Sequence, residues 1–219
     1  MTMTDGIVLI DKPSAMTSFG VVARVRRQLS QAVGHKVKVG HTGTLDPFAT
    51  GLMILVIGKE CKNAARYTKL DKVYEATIRL GAVSSTGDPE GEVTAVSTHQ
   101  PTEVELLGVL QQFTGEIEQT PPIYSAIKID GRRAYDLARR GEVPDMPRRT
   151  VTVYSLDLLS YEYPDVTIRT KVSSGTYIRS LASDIGDALG TGAYTVALRR
   201  MSIDTYDVAD AQPVESFVQ

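Results

Sequence analysis

One cysteine, Cys61, and three histidines in 219 residues leave no internal disulfide and no Cys/His cluster at metal-ligand spacing. A structural zinc is therefore not expected. Nor is there a cofactor motif: the chain has no G-x-x-x-x-G-K-[ST] phosphate cradle. No apolar run follows Met1, and none approaches the roughly 18–20 residues that span a bilayer. The expectation is a cytoplasmic protein with no membrane partner. Internal repeats, coiled-coil heptads and low-complexity tracts are also missing.

What is present is an ordinary globular composition, 42% hydrophobic and 23% charged. The length suits one large domain, or one domain with a modest insertion. The net charge of −2 argues against a wholly basic nucleic-acid binder, but it averages over unlike regions. Residues 128–149 hold seven bases against four acids, whereas residues 71–118 hold nine acids against Lys72 and Arg79. So bipolar a chain has one basic surface that suits a polyanion, or else a solvated helix face of mixed charge.

Apolar alternation or continuous apolar runs predict strands at 6–10, 36–39, 52–57, 73–80, 92–96, 125–129, 150–163, 166–173 and 193–203. Helical spacing marks 18–29, 103–113, 132–140 and 176–189. The last carries Ile178, Leu181, Ala182, Ile185 and Leu189 on one stripe, closed by Gly190. Strands outnumber helices without regular alternation, which predicts an α+β fold with a mixed, mostly antiparallel sheet. Thr120-Pro121-Pro122 and the Pro144/Pro147 pair bracket the basic segment and set it apart as an excursion from the sheet.

The stretch "GHTGTLDPFATG", residues 40–51, concentrates glycines, threonines, His41 and Asp46 between two strand-like runs. Asp-Pro is a common turn initiator, because the short carboxylate accepts a local backbone hydrogen bond. Glycine-rich turns also bind phosphate, yet a central aspartate repels it. The third reading is a rigid loop that presents one carboxylate at a cleft. Arg179 falls in the first turn of the 176–189 helix, where a cation opposes the helix dipole by about 0.3–1 kcal/mol. Either a nearby anion offsets that, or the side chain reaches to solvent. Tyr74 and Tyr177 are half-buried core residues or faces on which a base stacks. His41 is a hydrogen-bonded loop histidine or a wedge into nucleic acid.

Five segments in order, "GIVLIDKPSAMTS", "GHTGTLDPFATGLMILVIG", "KVYEATIRLGAVSSTGDPEGE", "PPIYSAIKIDGRRAYDLARRG" and "SSGTYIRSLASDIGDALGTGAYTVALRR", resemble the TruB family of RNA pseudouridine synthases. The resemblance implies the pseudouridine synthase fold and isomerisation of uridine 55 in the T-loop of tRNA, with no cofactor. It places the essential aspartate on Asp46, the base-stacking tyrosine on Tyr74 and the arginine serving the carboxylate on Arg179. Tyr177 and Leu198 match further pocket residues, His41 the residue that displaces the uridine, and Lys12 a basic residue at the pocket's edge. The basic excursion matches a thumb over the RNA, with Lys128, Arg132, Arg139 and Arg140 as backbone contacts.

Two departures stand out. "GKECKNAARY" replaces the family's usual small-residue run, and the sequence stops soon after "RRMSIDTY". The expectation is a single catalytic domain over 1–219 with a thumb-like insertion at about 120–150 and without the RNA-binding PUA domain many relatives carry. It would act as a monomer on the T-arm of tRNA, with no obligate protein partner. A different RNA substrate, or a non-catalytic RNA-binding or RNA-folding protein on the same scaffold, is the alternative.

Overall fold

The computed structural model describes residues 4–216. Its chain forms two compact units, Met1–Glu75 with Leu198–Gln219, and Ala76–Ala197.

The first unit opens with β1 (Gly6–Lys12), α1 (Ser18–Val33), β2 (Val39–His41) and β3 (Thr50–Ile57). A 3₁₀ turn (Gly58–Asn63) leads to α2 (Ala64–Thr68). Thr17 caps α1 by accepting from the Gly20 N–H at 2.9 Å, and Gly34 ends it in the left-handed region at φ 73°. Val21, Val22, Val25 and Leu29 make its buried stripe. β3 is the continuous apolar run of the sequence, and its residues 51–57 are all buried. It pairs antiparallel with β1 from Gly6↔Ile57 to Lys12↔Gly51. Leu52, Ile54, Val56, Tyr67, Ile203 and Val208 pack into one core cluster.

β4 (Lys72–Leu80) leads into the second unit, followed by β5 (Ala82–Ser84), β6 (Val93–Ala95), α3 (Glu103–Gln112) and β7 (Gly115–Gln119). Then come β8 (Lys128–Ile129), β9 (Arg132–Arg133), α4 (Ala134–Ala138), β10 (Arg149–Glu162), β11 (Asp165–Val172) and α5 (Ile178–Ala188). β12 (Ala193–Ile203) returns the chain to the first unit, which ends with β13 (Tyr206–Asp207) and β14 (Gln212–Pro213). In the second unit the sheet order is β4-β11-β10-β7, with β10 antiparallel to both neighbours. In the first it is β14-β1-β3-β12, where β1 pairs β14 and β3 pairs β12 in parallel. The α+β class and the mixed, mostly antiparallel pairing agree with the sequence pattern.

Several boundaries differ from expectation. The strand placed at 36–39 forms at 39–41 instead: after Gly34 the Val37 N–H bonds Ser30 Oγ at 3.0 Å, and pairing begins only at Val39↔Ile57. The strand at 125–129 shrinks to Lys128–Ile129, and the helix at 132–140 to Ala134–Ala138. Asp130 and Gly131, at φ 50° and 80°, turn the chain into a hairpin that takes Arg132 and Arg133 as its second strand. β7 and α2 had no counterpart in the periodicity.

Candidate functional site

In the first unit the loop carrying Asp46 runs from the end of β2 to the start of β3, and its backbone is tied down on every side. The Thr42 N–H and hydroxyl both donate to the Ile54 carbonyl at 3.2 Å. Ser18 Oγ receives the Leu45 N–H at 2.8 Å and donates to the Leu45 carbonyl at 2.9 Å. The Ala49 N–H closes a turn onto the Asp46 carbonyl at 3.2 Å, with Pro47 at the position whose fixed φ suits it. Leu45 and Ala49 are buried while Asp46 between them is half-buried. The Asp-Pro turn is thus present, and it fixes the backbone that carries the Asp46 carboxylate.

Lys12, read as a pocket-edge residue, is fully buried. Its ammonium donates to the carbonyls of Pro13 at 2.8 Å, Met16 at 2.6 Å and Pro47 at 3.1 Å, bracing the loop directly after Asp46. Arg200 joins the two stems of the loop. Its Nε donates to the Leu52 carbonyl at 2.6 Å and its Nη2 to the Gly43 carbonyl at 3.1 Å, with 1% of the residue exposed. Gly51 sits at φ 105°, and a Cβ there would overlap the Arg200 backbone, so this position requires glycine. Arg199 grips Asp11 at 2.8 and 3.1 Å and reaches Thr50 Oγ1 at 3.4 Å. The Asp11 carboxylate raises the Arg199 pKa. Burial, helped by the charge of Arg200, pushes Lys72 down to about 8.

Leu198, buried, immediately precedes Arg199, whose register partner is Thr50 at the loop's exit. Tyr74 is buried on the inward face of β4, where burial alternates residue by residue. His41 is the last residue of β2, partly buried and opposite Leu55. The fold thus gathers Lys12, His41, Asp46 and Leu198 on or beside one braced loop, and carries Tyr74 within the same unit.

The second unit holds Arg179 and Tyr177 at the start of α5. Arg179 does not reach to solvent: it is 4% exposed, with Asp88 Oδ2 3.3 Å from its Nη1. Nη1 donates to the Thr86 carbonyl and Nη2 to the Tyr124 carbonyl, each at 2.8 Å. An interior guanidinium is tolerated only with such partners. Asp88 is itself ordered by the Thr86 hydroxyl at 2.6 Å and the Glu90 N–H at 3.0 Å. Arg179 also lines a cleft of about 300 Å³ with Thr86, Tyr124, Ser180 and Asp184. Burial there, with the charge of Asp187 adding, raises the Asp184 carboxyl to about 6.

Tyr177 is the N-cap of α5 but supplies no capping side chain. Gln119 serves its backbone from β7, accepting from the Tyr177 N–H at 2.7 Å and donating to its carbonyl at 3.0 Å. The guanidinium of Arg149 lies 4.6 Å from the Tyr177 ring centroid. Beyond Gln119, the excursion presents Lys128, Arg132, Arg139 and Arg140 as exposed side chains. Arg133 and Arg139 flank the Tyr135 ring at 5.8 and 5.6 Å, an aromatic and cationic surface suited to a nucleic-acid strand.

Asp88, Gln119, Arg149, Arg199 and Arg200, which hold these residues or their loops, belong to no motif that marks them in the sequence. Their one visible signal was charge or amide inside otherwise apolar or turn segments. Among the described residues no helix is long and apolar enough to cross a membrane, and no group of three His, Cys, Asp or Glu side chains is placed to hold a metal ion.

A family model described as TruB family pseudouridylate synthase (N terminal domain) matches residues 27–178. A tRNA pseudouridine synthase B from Opitutus terrae is 44% identical over 213 residues, covering 97% of this chain and 86% of the relative. One from Phocaeicola vulgatus is 44% identical over 220 residues, covering 99% and 94%. Among solved structures, a chain of a Cbf5-Nop10-Gar1 complex superposes with TM-score 0.71 at 30% identity, over 94% of this chain and 51% of that one. A chain of an H/ACA RNP bound to a substrate RNA containing 2′-deoxyuridine gives TM-score 0.71 at 27% identity, over 98% and 53%. This chain spans about half the length of those two solved chains.

Proposed function

The chain belongs to the TruB family of pseudouridylate synthases, and from that premise we propose that it converts uridine to pseudouridine in tRNA, at position 55 of the T-loop. The observation that carries this reading is Asp46, one carboxylate on a loop braced by Lys12, Ser18 and Arg200 within a chain whose residues 27–178 match the family.

The reaction breaks N1–C1′, turns the uracil and joins C5 to C1′, so no group enters or leaves and no redox change occurs. Positive charge develops at C1′ as the first bond breaks, and an adjacent carboxylate either stabilises it or bonds to it. Asp46 fills that role in its ionised form, attacking C1′ or removing the C2′ proton. Bracing on both stems leaves its backbone little freedom, which favours a single approach to the sugar. The role carried over for Arg179 is to keep the carboxylate ionised, as a cation favours the charged form of an acid. C5 then bonds to C1′, displacing Asp46 where it had attacked or with the proton returned to C2′ where one had been removed; the C5 proton leaves to a base or to water and N1 takes one up.

The target base stacks inside a folded loop, and flipping it out costs a few kcal/mol. Stacking on Tyr74, about 1–3 kcal/mol for a base on an aromatic ring, offsets much of that. His41 fills the vacated place, and Tyr177 and Leu198 line the base pocket. Lys128, Arg132, Arg139 and Arg140 of the thumb-like excursion contact phosphates and give the affinity its salt dependence. Recognition is then mainly of loop shape. We read the protein as a monomer acting in the cytoplasm without an obligate protein partner.

Incubation with an unmodified tRNA transcript, followed by mapping of pseudouridine, tests the reading. A product at position 55 supports it. Product only at another site or in another RNA overturns the substrate, and no product in any RNA that the protein binds points to the non-catalytic alternative.

A further inference from the structure

The root of the basic excursion is a register pair in the second unit: Gln119, the last residue of β7, stands opposite Arg149, the first of β10. The excursion leaves the sheet directly after one and rejoins it at the other. Both grip the same residue. Gln119 brackets the Tyr177 backbone with two hydrogen bonds at 2.7 and 3.0 Å, and Arg149 lays its guanidinium against the Tyr177 ring at 4.6 Å. Gly175, at φ 89°, lies beside that guanidinium, where a Cβ would stand 3.5 Å from Nη1.

Arg149 makes this contact under poor conditions. Its Nε and Nη2 are buried with no hydrogen-bond partner among the described residues. Unpaired buried donors destabilise a fold, the more so when they belong to a charged group. The contact of the guanidinium with the Tyr177 ring offsets only part of that. The arrangement is costly for folding alone, and such groups call for an explanation beyond packing.

We propose that Gln119 and Arg149 are positioning residues that fix Tyr177 for the isomerisation and tie its placement to engagement of the excursion by RNA. Gln119 sets where the Tyr177 backbone enters α5, and Arg149 sets the plane of the ring. RNA held by the basic side chains of residues 128–140 pulls on the two strand ends where these residues sit. That coupling makes the ring's position respond to bound substrate. The inference rests on the functional reading above, in which Tyr177 lines the base pocket.

The test is single-turnover isomerisation of a tRNA transcript at saturating enzyme, measured beside RNA affinity and thermal unfolding. Arg149→Met should slow the chemical step about tenfold or more while RNA affinity changes less than about threefold. Arg149→Lys, which keeps the charge but loses the planar face, should fail to restore the rate. Gln119→Ala leaves Arg149 in place and should show the same pattern. In a Tyr177→Ala background Arg149→Met should slow the reaction by less than about twofold further, since the two act as one unit.

Independent, multiplying losses in that double variant overturn the proposal. So does rescue by lysine, or a loss confined to affinity and its salt dependence, which marks a plain phosphate contact. Asp46→Asn serves as the control. If it retains turnover, the functional reading falls; if it is dead while the Arg149 and Tyr177 losses multiply, only this inference does.

Discussion

Asp88 Oδ2 lies 3.3 Å from Arg179 Nη1, and both side chains are about 95% buried. Removing one member of a buried ion pair leaves the other charge uncompensated, at a cost of about 3–5 kcal/mol. Asp88→Ala should therefore lower stability by about 3 kcal/mol, seen as an earlier urea midpoint with unchanged slope. Asp88→Asn keeps the shape and the contact with Thr86, so it should fold better yet still turn over slowly. Wild-type turnover in Asp88→Asn would show that the carboxylate does no more than fill space.

Asp46→Asn should abolish isomerisation while RNA binding persists. The amide has the same outline but neither the charge to stabilise C1′ nor the lone-pair strength to attack it. The Ala49 N–H bonds the Asp46 backbone carbonyl rather than its side chain, so this turn contact survives the change. Substantial product from purified Asp46→Asn would remove the residue from the mechanism.

Arg200 holds Gly43 and Leu52, which flank Asp46 in sequence, and Arg200→Met should lower kcat more than it raises the KM for RNA. Small displacements of a reacting group are costly to rate, about 10²-fold for an ångström. Because Arg200 is buried, the variant's unfolding midpoint must be measured beside its kinetics. Arg200→Lys, which reaches with one ammonium in place of a fork, should recover stability before it recovers rate. Equal recovery of both would reduce Arg200 to a core strut.

How much of this was legible in the sequence depended on whether a signal was local. The α5 stripe, the apolar run of β3 and the Asp-Pro turn each follow from neighbours a few residues apart, and each appears where the pattern put it. Arg199 and Arg200 were opaque. A charged residue in a strand reads as an exposed edge until the carbonyls of Gly43 and Leu52, more than a hundred residues earlier, are known to surround it. The bracing by Lys12 is opaque for the same reason, since nothing near it in sequence announces that its ammonium meets Pro47. Asp88 looked like one more acid in an acidic stretch. The short hairpin of β8 and β9 was hidden because Arg132 to Arg140 also has helical spacing, and the Asp130-Gly131 turn decides between the two.

Exchanging Arg139 and Arg140 together for Gln should weaken RNA binding and flatten its dependence on salt. Both are exposed at the end of α4. Each phosphate contact contributes close to one unit to the slope of log affinity against log salt, so loss of two should lower that slope by nearly two. Single-turnover rate at saturating enzyme should fall less than in Arg149→Met, since Lys128 and Arg132 still hold RNA to the excursion. Unchanged affinity at both low and moderate salt would exclude the excursion from RNA binding.

Asp184 makes a prediction about pH. Its carboxyl is raised from about 3.8 to about 6, chiefly by burial and then by Asp187. A raised acid holds its proton in the folded state over a range in which the unfolded chain has lost it. The folded protein therefore binds more protons between about pH 4 and 6, and stability falls as pH rises through that window. Above pH 6 the penalty is fully present. At about 1.4 kcal/mol per pH unit its ceiling is about 3 kcal/mol, reduced by whatever solvent reaches the carboxylate. Asp184→Asn removes the charge and should raise the unfolding midpoint at pH 7–8, with the gain shrinking towards zero near pH 4. The measurement is urea unfolding of both proteins across that range. A gain that is equal at pH 4 and pH 8 would mean that the amide stabilises by packing or hydrogen bonding, and that the buried charge is not the cause.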